Sequence, residues 1–333
     1  MRSGWGPRGA SRTRVYCGAM FAVTIVDGTL EWREHPDPFP GPGELLVSVA
    51  AAGINAADLM QRRGLYPAPP GAPADIPGLE FAGEVVAVGT DTTRHQVGDR
   101  VMGITAGGGQ GQFVVVPESI ALPIPDNVGW DQAGGFPEAF CTAYDALITQ
   151  GRLGVGERVL ISGAAGGVGT AAVQLARRAG AHVVATVRSE ERRPDVVRLG
   201  ADDVIDPAEV ADHGPYDVSL ELVGGANVAA VVPLMTVGGR MVVIGVGAGA
   251  KVELNLLSLM ASRSTIGGSM LRARTVEEKA TVARAVAEHA VPLLAEGKVT
   301  VPVADRIPMA RAEEAYERFA AGGKFGKIIL VNE

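Results

Sequence analysis

Short apolar runs rich in valine, each closed by a Gly or Pro turn, fill the first third of the chain. They fall at 21–26, 44–51, 81–88, 100–104 and 112–116. Runs of this length with β-branched residues predict strands. Between them, residues 64–77 hold five prolines, which predicts an ordered but irregular loop of a length that often serves function. Past Pro137 the rhythm changes, and apolar strands at 159–162, 182–187, 203–205, 217–222 and 240–245 alternate with helical patterns. That alternation predicts a parallel, doubly wound α/β sheet. A helical pattern from Val276 puts Val282, Val286 and Leu293 on one face, with Gly297 as its stop. A second, at 311–320, ends at Gly322 and Gly323, and an apolar strand at 327–331 closes the chain.

The strand at 159–162 runs into Gly163-Ala164-Ala165-Gly166-Gly167-Val168-Gly169 and then into a helical run. A Gly-rich turn between strand and helix lets the backbone approach a pyrophosphate, and the unpaired N–H groups of the helix start favour negative charge. Ala165, Gly166, Gly167, Val168 and Gly169 are therefore expected to bind a dinucleotide, although Ala164 stands where the usual fingerprint has its first glycine. The next strand ends in Thr186-Val187-Arg188-Ser189, with Arg192 and Arg193 following. No carboxylate closes it, as NAD selectivity would want. Arg188, Ser189 and Arg192 suit a 2′-phosphate instead, which points to NADPH.

A length of 333 residues predicts two domains. With 47% hydrophobic residues, 20% charged residues and no uncharged apolar run of spanning length, the composition argues against a membrane protein. The net charge of -7 argues against bulk nucleic-acid binding. Cys17 and Cys141 are too few for a disulfide framework or an all-cysteine metal cage, which fits a reducing, cytoplasmic setting. Residues 1–19 carry four arginines and interrupting glycines, and read as a disordered extension or as sequence upstream of a start at Met20. The five histidines are scattered without metal or triad spacing, and no G-x-S-x-G elbow occurs.

The segments Asn55-Ala56-Ala57-Asp58, Gly64-Leu65-Tyr66, Gly78-Leu79-Glu80-Phe81, Val97-Gly98-Asp99-Arg100-Val101, Pro137-Glu138-Ala139 and Gly326-Lys327-Ile328-Ile329-Leu330, taken with the glycine turn, resemble the medium-chain dehydrogenase/reductase superfamily. The likeness is to its zeta-crystallin-like quinone oxidoreductase branch and extends over nearly all of 20–331. The resemblance implies a GroES-like β-rich catalytic domain, 20–141 with 276–333, and a Rossmann domain over 142–275. It implies that no catalytic zinc is bound, since Asn55 and the segment around Leu79 stand where zinc-dependent relatives carry Cys and His ligands. It places Asn55 and Tyr66 at the nicotinamide and substrate pocket, and adds Thr142, Gly245 and Lys327 to the cofactor site. Met60 stands where some relatives carry a second tyrosine, and Pro207 replaces one near the adenosine phosphate. A homodimer, paired near 265–270, is implied as well. The expected activity is transfer of reducing equivalents from NADPH to a quinone or similarly activated acceptor. The alternatives are reduction of an activated C=C bond in an enal, enone or enoyl thioester, and an NADPH-binding sensor or structural protein with negligible turnover.

Overall fold

The computed structural model describes residues 18–332. The chain opens with β1 (Ala19–Val26) and β2 (Thr29–Pro36), a hairpin turning at Asp27 and Gly28, whose φ angles are 49° and 82°. Asp-Gly supplies just this left-handed backbone. The pattern of apolar positions misses β2 because most of its residues stay exposed, and only Leu30 is buried. Of the expected extension, residues 1–17 lie outside the described residues, whereas Ala19 already pairs with Pro36.

The second sheet draws on β3 (Glu44–Gly53), β4 (Glu80–Val88), β5 (Arg100–Ile104), β6 (Phe113–Pro117) and β7 (Ala121–Pro123). The third consists of β8 (Arg158–Ile161), β9 (His182–Thr186), β10 (Asp203–Ile205), β11 (Tyr216–Glu221), β12 (Met235–Val243) and β13 (Thr265–Gly268). Finally β14 (Val303–Pro308) and β15 (Lys327–Val331) return to the second sheet, whose order is β14-β15-β3-β4-β5-β7 with β6 also on β3. The third sheet has the order β10-β9-β8-β11-β12-β13 and is parallel throughout. The fold is thus a GroES-like β domain joined to a Rossmann sheet. Strand order reverses between β8 and β11, the switch point where such sheets open a crevice at their carboxyl ends.

One apolar cluster runs from Met102 and Leu122 through Phe136 and Phe140 to Val159, Ile161 and Val218, so the two larger sheets share a continuous core. The helix Pro137–Tyr144 sits at its centre and continues as a π-helical segment, Asp145–Gln150. The helical pattern expected to run from Val276 to Gly297 is broken. Val282 and Val286 belong to the helix Val276–His289, whereas Leu293 lies on a separate short helix, Val291–Ala295. Pro292, at the start of the second, lacks the N–H that a continuous helix would need.

Candidate active site

The turn after β8 feeds the helix Gly167–Arg178 through Gly166 in extended backbone. Gly169 is closed to a side chain by backbone, and at Gly167 a side chain would have to displace the Lys327 stem. A Cβ on Gly169 would lie 2.6 Å from both the Ala164 Cα and the Gly163 oxygen, and one on Gly167 would lie 2.5 Å from the Lys327 Cδ. Ala164 itself is fully buried, so its methyl is absorbed by the core rather than offered to a ligand. The Gly163 N–H is held by Thr186 Oγ1 at 3.2 Å, which joins the turn to the end of β9.

Against this turn lies a cavity of about 870 Å³. Gly163, Ala165 and Gly166 line one part of it, and Arg188, Ser189 and Arg192 another. Arg188 is exposed and has no ion-pair partner among the described residues, while Arg192 has only a long contact of 3.5 Å to Asp195. Arg193 is diverted: it donates to Asp206 at 3.1 Å and to the Val187 carbonyl at 3.3 Å. A glycine turn at a helix start, beside an unpaired Arg188 and a loosely held Arg192, fits a phosphorylated dinucleotide. Beneath it, the buried Glu221 carboxylate accepts from Ser162 at 3.0 Å, from the N–H groups of Val223 and Gly224 at 2.6 and 2.8 Å, and from Asn227. That acid is consumed in holding the floor.

Sequence reasoning missed one wall of this cavity. Phe319, Gly322, Gly323 and Lys324 fold over it from the C-terminal segment, with the Lys324 Nζ 4.3 Å from the Phe319 ring centre. Burial, reinforced by Lys327 and Arg318, lowers the Lys324 ammonium to about 8. Gly322 and Gly323 had signalled only a helix end, and the cavity brings the following lysine back to the turn. Gly245 does not line the cavity, whereas Gly247 and Ala248 do. A Cβ on Gly245 would stand 2.1 Å from the Leu222 oxygen, so its contact is with the end of β11.

Asn55, Thr142 and Lys327 belong to a second group of residues at the sheet junction. Lys327, on the first position of β15, donates to Glu80 Oε1 at 2.5 Å and to Asn55 Oδ1 at 2.6 Å. Asn55 Nδ2 donates to the same Glu80 oxygen at 3.0 Å, and the other Glu80 oxygen accepts from the Glu138 N–H at 2.9 Å. Thr142 Oγ1 reaches Glu138 Oε1 at 3.4 Å, one helical turn along. Burial and the neighbouring Glu80 carboxylate push the Glu138 carboxyl up to about 8. Asp58, which accepts from the Asn55 and Gly78 N–H groups, is raised to about 6 by burial. Asp58, Glu80 and Glu138 stand in the motifs that carry the resemblance but received no role there, because an acid embedded among apolar residues carries no charge pattern of its own. The two groups of residues touch, since the Gly326 N–H donates to the Ala165 carbonyl at 2.9 Å and the Lys327 stem lies against Gly167.

Tyr66 makes no hydrogen bond to either group but lies within electrostatic reach of Glu138, on the proline-rich loop, half-buried with the Arg272 guanidinium 5.1 Å above its ring centre. Its hydroxyl has no hydrogen-bond partner among the described residues, and burial raises its pKa. Among the described residues no cluster of three or more His, Cys, Asp and Glu side chains could hold a metal ion. No described helix is long and apolar enough to cross a membrane.

Comparison with known proteins agrees with this architecture. The family of zinc-binding dehydrogenases matches residues 167–288, and the alcohol dehydrogenase GroES-like domain matches residues 41–126. The quinone oxidoreductase of Homo sapiens is 30% identical over 305 residues, covering 88% of this chain and 91% of that protein. A mycocerosic acid synthase-like polyketide synthase of Mycobacterium tuberculosis is 34% identical over 312 residues, 91% of this chain, which spans only 15% of that protein's length. An alcohol dehydrogenase superfamily protein from Novosphingobium aromaticivorans superposes with a TM-score of 0.84 at 29% identity, covering 94% of this chain and all of that one.

Proposed function

We propose, from the premise that this chain belongs to the medium-chain dehydrogenase/reductase superfamily as a quinone oxidoreductase-like oxidoreductase, that it is a zinc-independent, NADPH-dependent reductase of quinones or similarly activated acceptors. The observation that carries the cofactor reading is the cavity that joins the glycine turn to Arg188, Ser189 and Arg192 with no carboxylate ending β9. NADPH, when bound, supplies the reducing equivalents. The turn N–H groups would hold its pyrophosphate, and Arg188 and Arg192 its 2′-phosphate. Lys327 supports the zinc-free reading. Its ammonium already neutralises Glu80 and occupies the amide oxygen of Asn55, so the donor set has its own cation. Tyr66 offers the acceptor a ring to stack on and an unclaimed hydroxyl to bond its oxygen.

A second reading, reduction of an activated C=C bond, is favoured by Glu138. Such a reaction needs a proton as well as reducing equivalents, and this carboxyl, held up to about 8 beside Thr142, keeps its proton at neutral pH. The likeness to a stretch of polyketide synthase points the same way. We further propose a homodimer. β13 is an open sheet edge, and Leu256, Leu257 and Met260 on the neighbouring helix Leu256–Ser262 are largely exposed, an apolar surface suited to a second copy.

The test is cofactor oxidation by chelator-treated protein across quinones, enones and enoyl thioesters. Turnover of quinones with NADPH in preference to NADH is expected. Turnover of enones or enoyl thioesters alone selects the second reading, and loss of activity on chelation that zinc restores overturns the first.

A further inference from the structure

We infer that Arg272 is the positioning residue of the acceptor site, fixing the Tyr66 loop from the opposite side of the fold and thereby setting how tightly the acceptor is held. The inference rests on the reading of Tyr66 as an acceptor contact. Arg272 lies in the segment between β13 and the helix Val276–His289, and it is only 5% exposed. Its guanidinium enters the β-rich side and binds three separate pieces of chain. Nε donates to the Ala106 carbonyl at 2.8 Å, Nη1 to the Tyr66 carbonyl at 3.1 Å and Nη2 to Gln61 Oε1 at 2.6 Å. Gln61 in turn donates to the Ala74 carbonyl at 3.0 Å, so the loop is held at Tyr66 and again eight residues later.

The loop needs such an anchor. Prolines at 67, 69, 70, 73 and 77 remove backbone donors, and without them the segment cannot build a ladder of its own. No carboxylate pairs with Arg272 among the described residues, so its charge is met by neutral oxygens and by the Tyr66 ring face. Only a planar fork presents donors in several fixed directions at once, which a lysine does not. Two residues on, Arg274 donates to the buried Asp145 at 2.6 Å and to Ser269 at 2.9 Å. The segment is therefore fastened to the Rossmann side by one arginine while the other reaches across to Tyr66.

The experiment measures acceptor KM, kcat and NADPH affinity for Arg272→Lys, Arg272→Met, Tyr66→Ala and the Arg272→Met, Tyr66→Ala double variant. Arg272→Met should raise acceptor KM about tenfold, with a smaller change in kcat and NADPH affinity within about twofold. Arg272→Lys should fall between it and the parent. In the Tyr66→Ala background the Arg272→Met effect should vanish, because the ring it positions is gone. Equal losses in KM, kcat and NADPH affinity that add to those of Tyr66→Ala would reduce Arg272 to a structural role and overturn the inference. So would impaired Tyr66→Ala alongside Arg272 variants with parental kinetics. Unchanged kinetics in Tyr66→Ala would instead overturn the acceptor-site reading beneath it. If Arg272→Met does not fold, Gln61→Leu removes one arm of the same clasp and should raise KM in the same direction, and a parental KM there overturns the inference.

Discussion

Glu138 shows how one side chain takes its chemistry from its surroundings. Its ordinary value is 4.5 and burial lifts it to about 8, so between those values the folded chain keeps a proton that the unfolded chain releases. A carboxyl raised in this way favours folding at low pH, and the contribution is lost as pH climbs toward 8. Asp58 adds the same sign over a lower window, from 3.8 to about 6. Replacing Glu138 with Gln keeps the shape and removes the titration. Urea unfolding of Glu138→Gln between pH 5 and 9 should therefore show a flatter dependence than the parent, by up to about 1.4 kcal/mol per pH unit. Parallel profiles for the two proteins would show that the carboxyl is ionised in the fold. Lys327 and Glu80 form a buried ion pair, in which removing one partner costs about 3–5 kcal/mol through the group left without its partner.

At the scale of elements, the strand–turn–helix from β8 to Arg178 and the end of β9 do the work of the cofactor reading. Arg193 and Arg192 are neighbours in sequence with different fates, because the first turn after β9 sends one to Asp206 and leaves the other on the cavity wall. Arg192→Glu places a carboxylate where the 2′-phosphate would lie. NADPH affinity should fall about ten- to a hundredfold, with NADH changed far less, as titration of the two cofactors against each protein would measure. Equal weakening of both would mean that Arg192 does not face the 2′ position. Four strands of the Rossmann sheet were legible within a residue or two; β12 begins earlier than its pattern, at Met235, and β13, of which only Ile266 is large and apolar, was named only as an edge near 265–270. Gly238 and Gly239 interrupt the first half of β12, and there the pairing with β11 jumps from Met235 to Arg240, a bulge at the glycines that the apolar pattern does not show. Hairpin β1–β2 carried its mark in Asp27-Gly28, but its exposed second strand lacks the apolar alternation by which strands are recognised.

For the whole molecule, the return of β14 and β15 to the second sheet matters most, because it carries Lys327 to Asn55 and Glu80 and lays Lys324 over the cavity beside the glycine turn. The outer edge at β13 with its exposed apolar helix leads to the dimer prediction: sedimentation at micromolar concentration should give twice the chain mass, and Leu257→Glu should shift the protein toward monomer. A parent that sediments as a monomer would refute it. The sequence by itself determined the alternation of strands and helices, the glycine turn and the lack of a carboxylate at the very end of β9, because these depend on local periodicity and on the residues at single positions. Tertiary structure alone decided that Asn55, Glu80, Glu138 and Lys327 form one hydrogen-bonded polar cluster and that Arg272 reaches Tyr66. Those partners are 25 to 272 residues apart: Lys327 meets Asn55 and Glu80 only once β15 has paired with β3, and Glu138 and Arg272 arrive only once the elements between the two larger sheets have packed on the second sheet.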